Sequence, residues 1–322
     1  MTRLRIPEAV LSAAHARARA REARDWPEAD RLREEIEAAG WKVVDRGTDF
    51  ALSPAAPPDV AEVARTRYGA SRNVPSRLDE APVGLATVVL VATDWPDDLD
   101  RALRGLQAGS PPGTSVVIVA DGPSDAQASA LEALEAEPVA DPPVEVVWTS
   151  ERLGHGAALN AGLRRSSASV AILLDTSVEV SSDVVTPLVE AFPDPTIAVA
   201  GGWGIVSTDL RKFEAAPLGD VDAIEGYCQA FRRLDYRELG PIDEQFRFYR
   251  NLDIWWSLVL RDNGPGESPR RAVSLDGLPL VRHEHRGYTS LPDNERDRLS
   301  KRNFYRIIDR FGSRRDLLVR PG

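Results

Sequence analysis

Apolar, β-branched runs and helical stretches alternate along most of this chain. Strands that are hydrophobic throughout and separated by helices are typical of a mostly parallel sheet with helices on both faces. The pattern therefore predicts an α/β domain that begins near residue 85. The predicted strands are Thr87–Ala92, Ser115–Ala120, Val144–Trp148, Val170–Leu174 and Ile197–Ala200, and the predicted helices are Asp97–Gln107, Ala126–Glu137, Ala157–Ser166 and Asp183–Ala191.

The first fifty-four residues follow a different pattern, which predicts a small helical and hairpin module. Ala9–Arg24 has a helix-favouring composition, and Asp25 is placed to cap a second helix that Gly40 ends. The segment 41–54 then predicts two short strands joined by a turn at 46–49.

A linker is predicted after this module. Residues 54–58 read Pro-Ala-Ala-Pro-Pro, and a short helix around Asp59–Tyr68 and a polar stretch follow. The sequence thus predicts three parts: an accessory module at 1–54, a linker with a short helix at 55–84, and the α/β domain at 85–322.

Composition indicates a globular protein and excludes several classes. The chain has 322 residues, of which 43% are hydrophobic and 28% charged. It contains no apolar run near the ~18 residues that span a bilayer, and its start lacks the apolar stretch of a secretory signal. We therefore expect a cytoplasmic protein. The single cysteine, Cys228, excludes an internal disulfide framework and a multi-cysteine zinc site.

The net charge of -10 is unevenly distributed. Residues 1–50 are neutral, residues 286–322 carry +5, and the segment between them carries -15. A body this acidic repels phosphates, which argues against a nucleic-acid-binding protein as a whole. The basic C-terminal helix suits a diphosphate or an anionic membrane surface, although a solvated helix face explains the same residues: Arg298, Lys301, Arg302, Arg306 and Arg310.

Acidic residues follow three of the predicted strands, namely Asp94, Asp121 and Asp175. Ligands of open α/β sheets bind beyond the carboxyl ends of the strands, so these positions predict the binding site. The chain has no GxGxxG after its first strand, no GxxxxGK[ST] and no GxSxG. A dinucleotide fold of the usual fingerprint, a P-loop and a serine nucleophile elbow are thereby excluded.

The run from Leu85 to about Phe311 resembles family 2 glycosyltransferases with the GT-A fold, a Rossmann-like, mostly parallel sheet flanked by helices. Its ordered blocks are VVLVATDWPDDLDRALRGL, VVIVADGPSD, LGHGAALNAGLRRSSASVAILLDTSVEV, GYCQAFRRLDYRELGPIDEQFRFYRNLDIWWSLVLRDNG, and HEHRGY with SKRNFYRIIDRF. The resemblance implies sugar transfer from a nucleotide-diphosphate sugar. It implies donor contacts from Thr93, Asp121, Gly154, Asn160, Asp175 and Arg302, with Asp121 at the nucleotide base.

A divalent metal, Mg²⁺ or Mn²⁺, stabilises the leaving diphosphate in such enzymes, and the resemblance implies Asp175, His283 and His285 as its ligands. The family's Asp-x-Asp motif is Asp-Thr-Ser at 175–177 here, so the second carboxylate is missing, and Glu179 follows with the same strand parity. Two arrangements stay open. Either Asp175 binds metal with a histidine and phosphate oxygens, or arginines offset the charge.

Inverting transfer requires a carboxylate that takes the proton of the acceptor hydroxyl. The resemblance implies Asp253 as this base, and Leu252 stands where the family usually has a glutamate. Asp253 is also placed to cap a helix, and Asp243 and Glu244 are rival carboxylates. The adjacent pair at 255–256, two tryptophans, fits either a sugar platform or the core.

Residues from about Ala16 to Pro54 resemble the C-terminal helical appendage of cysteinyl-tRNA synthetases, through ARDWPEADRLREEIEAAGW and VVDRGTDF. Because this segment has no excess positive charge, docking or assembly is favoured over tRNA binding. The overall prediction is an inverting glycosyltransferase of cell-surface polysaccharide or glycoconjugate synthesis, with a glycan, lipid-linked sugar or protein as acceptor. It is cytoplasmic, with peripheral contact to the inner membrane face as an option. The alternative is a catalytically inactive nucleotide-sugar-binding or scaffold protein.

Overall fold

A computed structural model describes residues 6–46, 49–136, 141–216 and 218–319. The chain divides into two compact units, Met1–Val60 and Ala61–Gly322. The centre of the predicted turn at 46–49 and the last residue of the predicted helix Ala126–Glu137 lie outside the described residues.

The first unit contains two helices and a hairpin, as predicted. Its helices are α1 (Glu8–Glu22) and α2 (Trp26–Ala38), and its antiparallel strands are β1 (Trp41–Arg46) and β2 (Asp49–Pro54). The Asp25 carboxylate accepts a hydrogen bond of 3.2 Å from the amide of Glu28, which is the predicted cap. A small core holds the unit together and consists of Val10, Ala13, Ala14, Leu32, Ile36 and Trp41.

The second unit alternates strands and helices and contains the predicted α/β pattern. A two-residue strand, β3, lies where the chain passes from the first unit into it. The elements in chain order are β3 (Val60–Ala61), β4 (Thr66–Tyr68), β5 (Ala86–Ala92), α3 (Pro96–Gly109), β6 (Thr114–Ala120), α4 (Asp125–Ala136), β7 (Val144–Thr149), α5 (His155–Leu163), β8 (Val170–Leu174), β9 (Val178–Val180), α6 (Val185–Val189), β10 (Ile197–Gly201), β11 (Gly204–Ser207), β12 (Phe213–Ala215), β13 (Gly219–Val221), β14 (Ala223–Ile224), β15 (Cys228–Arg232), α7 (Arg233–Leu239), α8 (Leu252–Arg261), β16 (Arg271–Ser274), β17 (Leu280–Arg282), α9 (Arg286–Thr289) and α10 (Asp293–Phe311).

Within the described residues, the central sheet has ten strands in the order β13-β16-β10-β15-β8-β5-β6-β7-β4-β3. Strand β5 pairs in parallel with β6 and β8, and β6 pairs in parallel with β7. β15 is antiparallel to both of its neighbours, β8 and β10, and was not predicted. The mostly parallel sheet predicted from the hydrophobic strands is confirmed.

Side chains alternate across the sheet and bury both of its faces. Val88 and Leu90 of β5 pack in one core with Leu99 of α3, whereas Val89 packs in a second core with Ala158 of α5. All five are nearly or fully buried. This two-sided burial is why the strands are apolar throughout.

The predicted helix at Asp59–Tyr68 is wrong, because this segment forms β3 and β4. Strand β4 pairs in parallel with β7, with Arg67 opposite Trp148. The guanidinium groups of Arg65 and Arg67 lie over the Trp148 ring, at 4.4 and 4.6 Å from its centroid. A free edge of β7 and this aromatic surface favour the extended form over a helix. The segment predicted as a linker therefore contributes to the sheet.

The tryptophan pair at 255–256 belongs to the core. Trp255 is 5% and Trp256 0% exposed, and the Trp256 ring contacts the rings of Phe231 and Tyr236 edge to face. Of the two alternatives for this pair, the structure favours the core. No helix in the described parts of the chain has the length and apolar character needed to cross a membrane.

Candidate active site

A cavity of about 730 Å³ opens beyond the carboxyl ends of β5 and β8. Of the three strand-end acids that predicted a site, Asp175 lines this cavity, whereas Asp94 and Asp121 do not. It is formed within the second unit. Its polar lining includes Asp175, Asp253, Glu225, Arg282, His285 and Tyr249.

Asp175 follows the last residue of β8 and is fixed from two sides. Its Oδ1 accepts hydrogen bonds from the amide of Ser177 at 2.8 Å and from the Ser177 hydroxyl at 2.5 Å. Its Oδ2 lies 3.1 Å from Nε2 of His285. Burial would raise the pKa of Asp175, but the hydrogen bonds from His285 and Ser177 outweigh it and hold this pKa below the usual value.

The two histidines reach the cavity through a short pair of strands. Strand β17 pairs antiparallel with β9, which follows Asp175, and the amide of His283 donates to the carbonyl of Ser177 at 2.9 Å. His285 then faces Asp175, whereas Nε2 of His283 lies 2.7 Å from a Glu179 carboxylate oxygen. Burial lowers the pKa of His285, but the Asp175 carboxylate raises it more, so the net pKa is raised.

The three predicted metal ligands all line the cavity, but they are not brought together as one group. No group of three or more His, Cys, Asp or Glu side chains among the described residues is arranged to hold a metal ion. His283 is paired with Glu179 instead of Asp175, because the antiparallel register sets the two histidines against different acids. The pair of Asp175 and His285 supplies one oxygen and one nitrogen donor in a half-buried position. This pair fits a cation that takes its remaining ligands from a substrate.

Asp253 lies in the first turn of α8, after Asn251 with its left-handed φ of 68°. Oδ2 accepts from the amide of Gly226 at 2.8 Å, and Oδ1 accepts from the amide of Ile254 at 3.0 Å. Burial raises the pKa of Asp253 despite these two bonds. The helix cap is Asn251 and not Asp253, so the carboxylate stays on the cavity wall.

A second carboxylate, Glu225, lines the same side of the cavity. Its Oε2 accepts from Arg282 at 2.6 Å, and the Arg282 guanidinium lies over the rings of Trp203 and Tyr227, at 4.9 and 4.7 Å from their centroids. Burial raises the pKa of Glu225, the Arg282 charge opposes this, and Asp253 adds to the rise. The charge of Asp253 thus disfavours the ionisation of Glu225.

Asp121 is 1% exposed and uses both oxygens on backbone amides. Oδ1 accepts from Leu153 at 2.6 Å and Oδ2 from Gly154 at 3.1 Å. Burial raises the pKa of Asp121 against these bonds. Gly154 has φ +100° and precedes α5, and a Cβ on it would lie 2.9 Å from Cα of Arg247. Asp121 and Gly154 thus shape the turn into α5, and Thr93 is half-buried just after β5.

Among the predicted donor contacts, only Asp175 lines the cavity, and Asn160 and Arg302, like Thr93, Asp121 and Gly154, do not. Asn160 is 1% exposed, and its amide holds the 242–244 segment through Ile242 O at 2.8 Å, Glu244 Oε1 at 3.1 Å and Ile242 N at 2.9 Å. Arg302 is exposed on α10. Its neighbour Asn303 donates to the carbonyls of Phe248 and Arg250 at 2.7 and 2.8 Å, so this part of the motif supports the cavity through its asparagine.

The rival carboxylates are used elsewhere. Asp243 accepts from Arg306 at 3.1 Å, and Glu244 is bonded to Ser71 and Asn160. Of the three acids, Asp253 alone is among the residues that line the cavity.

Several cavity residues were not predicted from the sequence: Glu225 and Arg282, and also Tyr249 and His155. Tyr249 stacks on His285 with centroids 4.1 Å apart and planes 15° apart. His155 starts α5, lies edge-on to Tyr249 at 6.1 Å, and has its pKa lowered to about 4 by burial. His155 is the middle residue of a Gly-His-Gly triplet that is visible in the sequence. Its position beside Asp175, however, depends on the turn that Asp121 holds.

A model of the family described as Glycosyl transferase family 2 matches residues 87–252. This stretch contains β5 to β8, the cavity acids Asp175 and Glu225, and ends one residue before Asp253. A search of curated proteins finds no match to this sequence. The comparisons give no support to the resemblance of residues 16–54 to cysteinyl-tRNA synthetases.

The solved structures that are similar in fold include two glycosyltransferases. The mannosyltransferase PcManGT from Pyrobaculum calidifontis, solved with GDP-Man and Mn²⁺, is 18% identical with a TM-score of 0.53, over 75% of this chain and 70% of that one. GalNAc-T7, solved with UDP, GalNAc and Mn²⁺, is 17% identical with a TM-score of 0.55, over 70% of this chain and 48% of that one. Both likenesses concern the GT-A fold.

Proposed function

The chain belongs to glycosyl transferase family 2, and from this premise we propose that it is an inverting glycosyltransferase. Its donor is a nucleotide-diphosphate sugar, and its acceptor is a hydroxyl group of a glycan, a lipid-linked sugar or a protein. The observation that carries the proposal is one cavity in which Asp253 and the pair of Asp175 and His285 both line the wall.

Asp253 serves as the base. Its pKa is raised by burial, so the carboxylate holds a proton more readily than an exposed aspartate does. The acceptor oxygen gives its proton to Asp253 and forms a bond to the anomeric carbon. The bond from that carbon to the donor phosphate oxygen breaks, and the nucleoside diphosphate leaves with the electron pair. One displacement of this kind inverts the anomeric configuration.

Asp175 and His285 are the residues that hold a divalent metal, Mg²⁺ or Mn²⁺. The metal, when bound, offsets the charge of the leaving diphosphate. The chain's own contribution is a fixed pair of donors: Ser177 holds one oxygen of Asp175, and Tyr249 stacks on the His285 ring. The reported contents of the two similar structures, GDP-Man or UDP with Mn²⁺, agree with this choice.

The other predicted donor residues contribute in different ways, some beside the nucleotide and others by supporting neighbouring segments. They are Asp121, Gly154, Thr93, Asn160 and Arg302. Thr93 and the turn held by Asp121 form the nucleotide side, while Asn160 acts by supporting the segment beside the cavity. Arg302 is exposed on α10 and suits an anionic group of the donor.

The organisation proposed for the chain is an accessory docking module in residues 1–54 and a catalytic domain that includes 85–322. We assign the transfer to cell-surface polysaccharide or glycoconjugate synthesis, carried out in the cytoplasm with peripheral contact to the inner membrane face. The basic residues of α10 are the basis for that contact. Binding of tRNA is not part of the proposal.

The test is a donor screen followed by product stereochemistry. Thermal shifts with UDP, GDP, dTDP and CDP, each with and without Mn²⁺, identify the nucleotide, and its sugar conjugates are then offered with water or simple glycosides as acceptors. Proton NMR of the earliest product is expected to show the inverted anomer. Retention would overturn the inverting assignment. Nucleotide binding without any turnover would favour the alternative of a nucleotide-sugar-binding or scaffold protein.

A further inference from the structure

The segment that carries His285 is tied to helix α3 by a two-bond ion pair. Nε of Arg286 donates to Oδ2 of Asp98 at 2.8 Å, and Nη2 donates to Oδ1 at 2.6 Å. Paired bonds of a guanidinium to a carboxylate fix orientation as well as distance. Arg286 is the residue next to His285, so this ion pair restrains the backbone on which the imidazole is mounted.

Asp98 belongs to helix α3, and the helix fixes its position. It lies in the first turn of the helix, its side chain is 7% exposed, and the next residue, Leu99, is in the core. Arg101 donates to the same carboxylate at 2.8 Å from within the helix. Burial would raise the pKa of Asp98, but the bonds from Arg286 and Arg101 hold this pKa below the usual value.

The remaining restraints on the His285 ring are few. Nε2 faces Asp175, Tyr249 stacks on one side, and Gly287 lies near its edge. A Cβ on Gly287 would lie 3.2 Å from Cε1 of His285 and 3.3 Å from Cζ3 of Trp95. The glycine therefore sits between the imidazole and Trp95, the residue just before α3. Nδ1 of His285 is buried and bonded to none of the described residues.

We propose that Asp98 is a positioning residue: through Arg286 it fixes the 283–289 segment so that the His285 imidazole faces Asp175. The part of this proposal that concerns metal rests on the proposed function, but the fixing of the segment does not. Asp98 and Arg286 touch neither donor nor acceptor in it. Arg101 offers a matched control, since it binds the same carboxylate without any link to His285.

Trp95 gives a direct readout of the segment. The full-length protein is labelled with 5-fluorotryptophan, and the Trp95 fluorine resonance is assigned from Trp95→Phe. Arg286→Gln and Asp98→Asn are expected to shift or broaden that resonance, because Gly287 leaves the ring edge. Arg101→Gln is expected to leave it in place. Arg286→Lys keeps the charge but loses the paired geometry, so we expect it to restore only part of the wild-type signal.

The second readout is the affinity for Mn²⁺ alone, measured by calorimetry and by the electron paramagnetic resonance of free Mn²⁺. Loss of a partner that orients a metal ligand costs about tenfold or more in affinity. Arg286→Gln and Asp98→Asn are each expected to weaken Mn²⁺ binding by about tenfold. The double variant should be no weaker than either single one, because both changes remove one contact. Melting temperatures of all variants report any general loss of stability.

An unchanged Trp95 resonance and unchanged Mn²⁺ affinity in Arg286→Gln would overturn the proposal. Equal effects of Arg101→Gln and Arg286→Gln would also overturn it, because they would assign the effect to α3 itself. Failure of the wild-type protein to bind Mn²⁺ would instead refute the metal part of the proposed function. The Trp95 comparison would then still decide whether the ion pair fixes the segment.

Discussion

Replacing Asp253 by asparagine separates its chemical role from its structural one. Both carboxylate oxygens accept from backbone amides, at 2.8 Å from Gly226 and 3.0 Å from Ile254. An asparagine has one oxygen and can satisfy only one of them, while its amide group faces the other donor. Leaving one such donor unsatisfied costs about 1–3 kcal/mol. Burial raises the pKa of Asp253, so removing the charge returns part of this cost.

The charge of Asp253 makes the free energy of unfolding depend on pH. The pKa of Asp253 is higher in the folded chain than in the unfolded one, so the native state binds the proton more tightly. The penalty for the ionised carboxylate grows as the pH rises from the unfolded pKa through the folded one. Asp253→Asn removes this dependence. We expect the free energy of unfolding to fall by about 1–2 kcal/mol at pH 7, and a loss of this size leaves the variant folded.

The catalytic effect should be much larger. General base catalysis contributes about 10²–10⁴-fold, so kcat should fall by that factor while the KM for the donor changes little. The assay is release of nucleoside diphosphate across pH, together with urea unfolding of each variant. In the wild type the acid limb should lie above the ordinary aspartate pKa of about 3.9, and the variant should lack it.

Asp243→Asn is the control, because this carboxylate is paired with Arg306 away from the cavity lining. It should keep kcat within about threefold, since this partly exposed pair lies outside the cavity lining and such pairs contribute little to stability. A folded Asp253→Asn protein with more than a tenth of wild-type kcat would refute the role of Asp253 as the base.

Three further outcomes are expected. Asn160→Ala should lower the unfolding free energy by about 2–4 kcal/mol in urea titrations, because it strands buried partners, whereas exposed Asn263→Ala should change it by less than about 0.5 kcal/mol. His285→Gln should cost more stability at pH 5.5 than at pH 9, because the folded-state pKa of His285 is raised. Its protonated ring stabilises the fold fully below the unfolded-state pKa of about 6.5, and this stabilisation is lost as the pH rises through the folded-state pKa. A cost that does not depend on pH would contradict the pairing with Asp175. Gly287→Ala should weaken Mn²⁺ affinity severalfold in calorimetry with little change in Tm, because its Cβ would press on His285 and Trp95, and unaltered affinity would count against that crowding.

The sheet could be predicted because most of its central strands are continuous apolar runs in the sequence. Val88, Val89 and Leu90 are all buried, since α3 covers one face and α5 the other, and such strands are apolar at every position. β15 gave no such signal. It lies antiparallel between β8 and β10, and its pairing is decided by strands that are distant in sequence.

The sequence predicted site residues whose chemical type alone marks them, but it could not predict contacts that depend on the register between two strands. Asp175 and Asp253 both line the cavity. Strand parity put His283 and His285 on one side, and both do line the cavity. Parity could not tell that the register of β17 against β9 pairs one of them with Glu179. Asn160 was expected at the donor, but its amide is consumed inside the protein.

The irregular segment between α7 and α8 carries Tyr249 into the cavity, yet its backbone is held by two buried asparagines. Asn160 supports one end of the segment, and Asn303 supports the other from 53 and 55 positions further along the chain. During synthesis the strands from β4 to β8 and helix α5 leave the ribosome well before α10 does. A nascent chain that has not yet reached Asn303 lacks the second support. Catalytic competence is therefore expected to arise only after α10 has been synthesised, when most strands of the sheet are already available to pair.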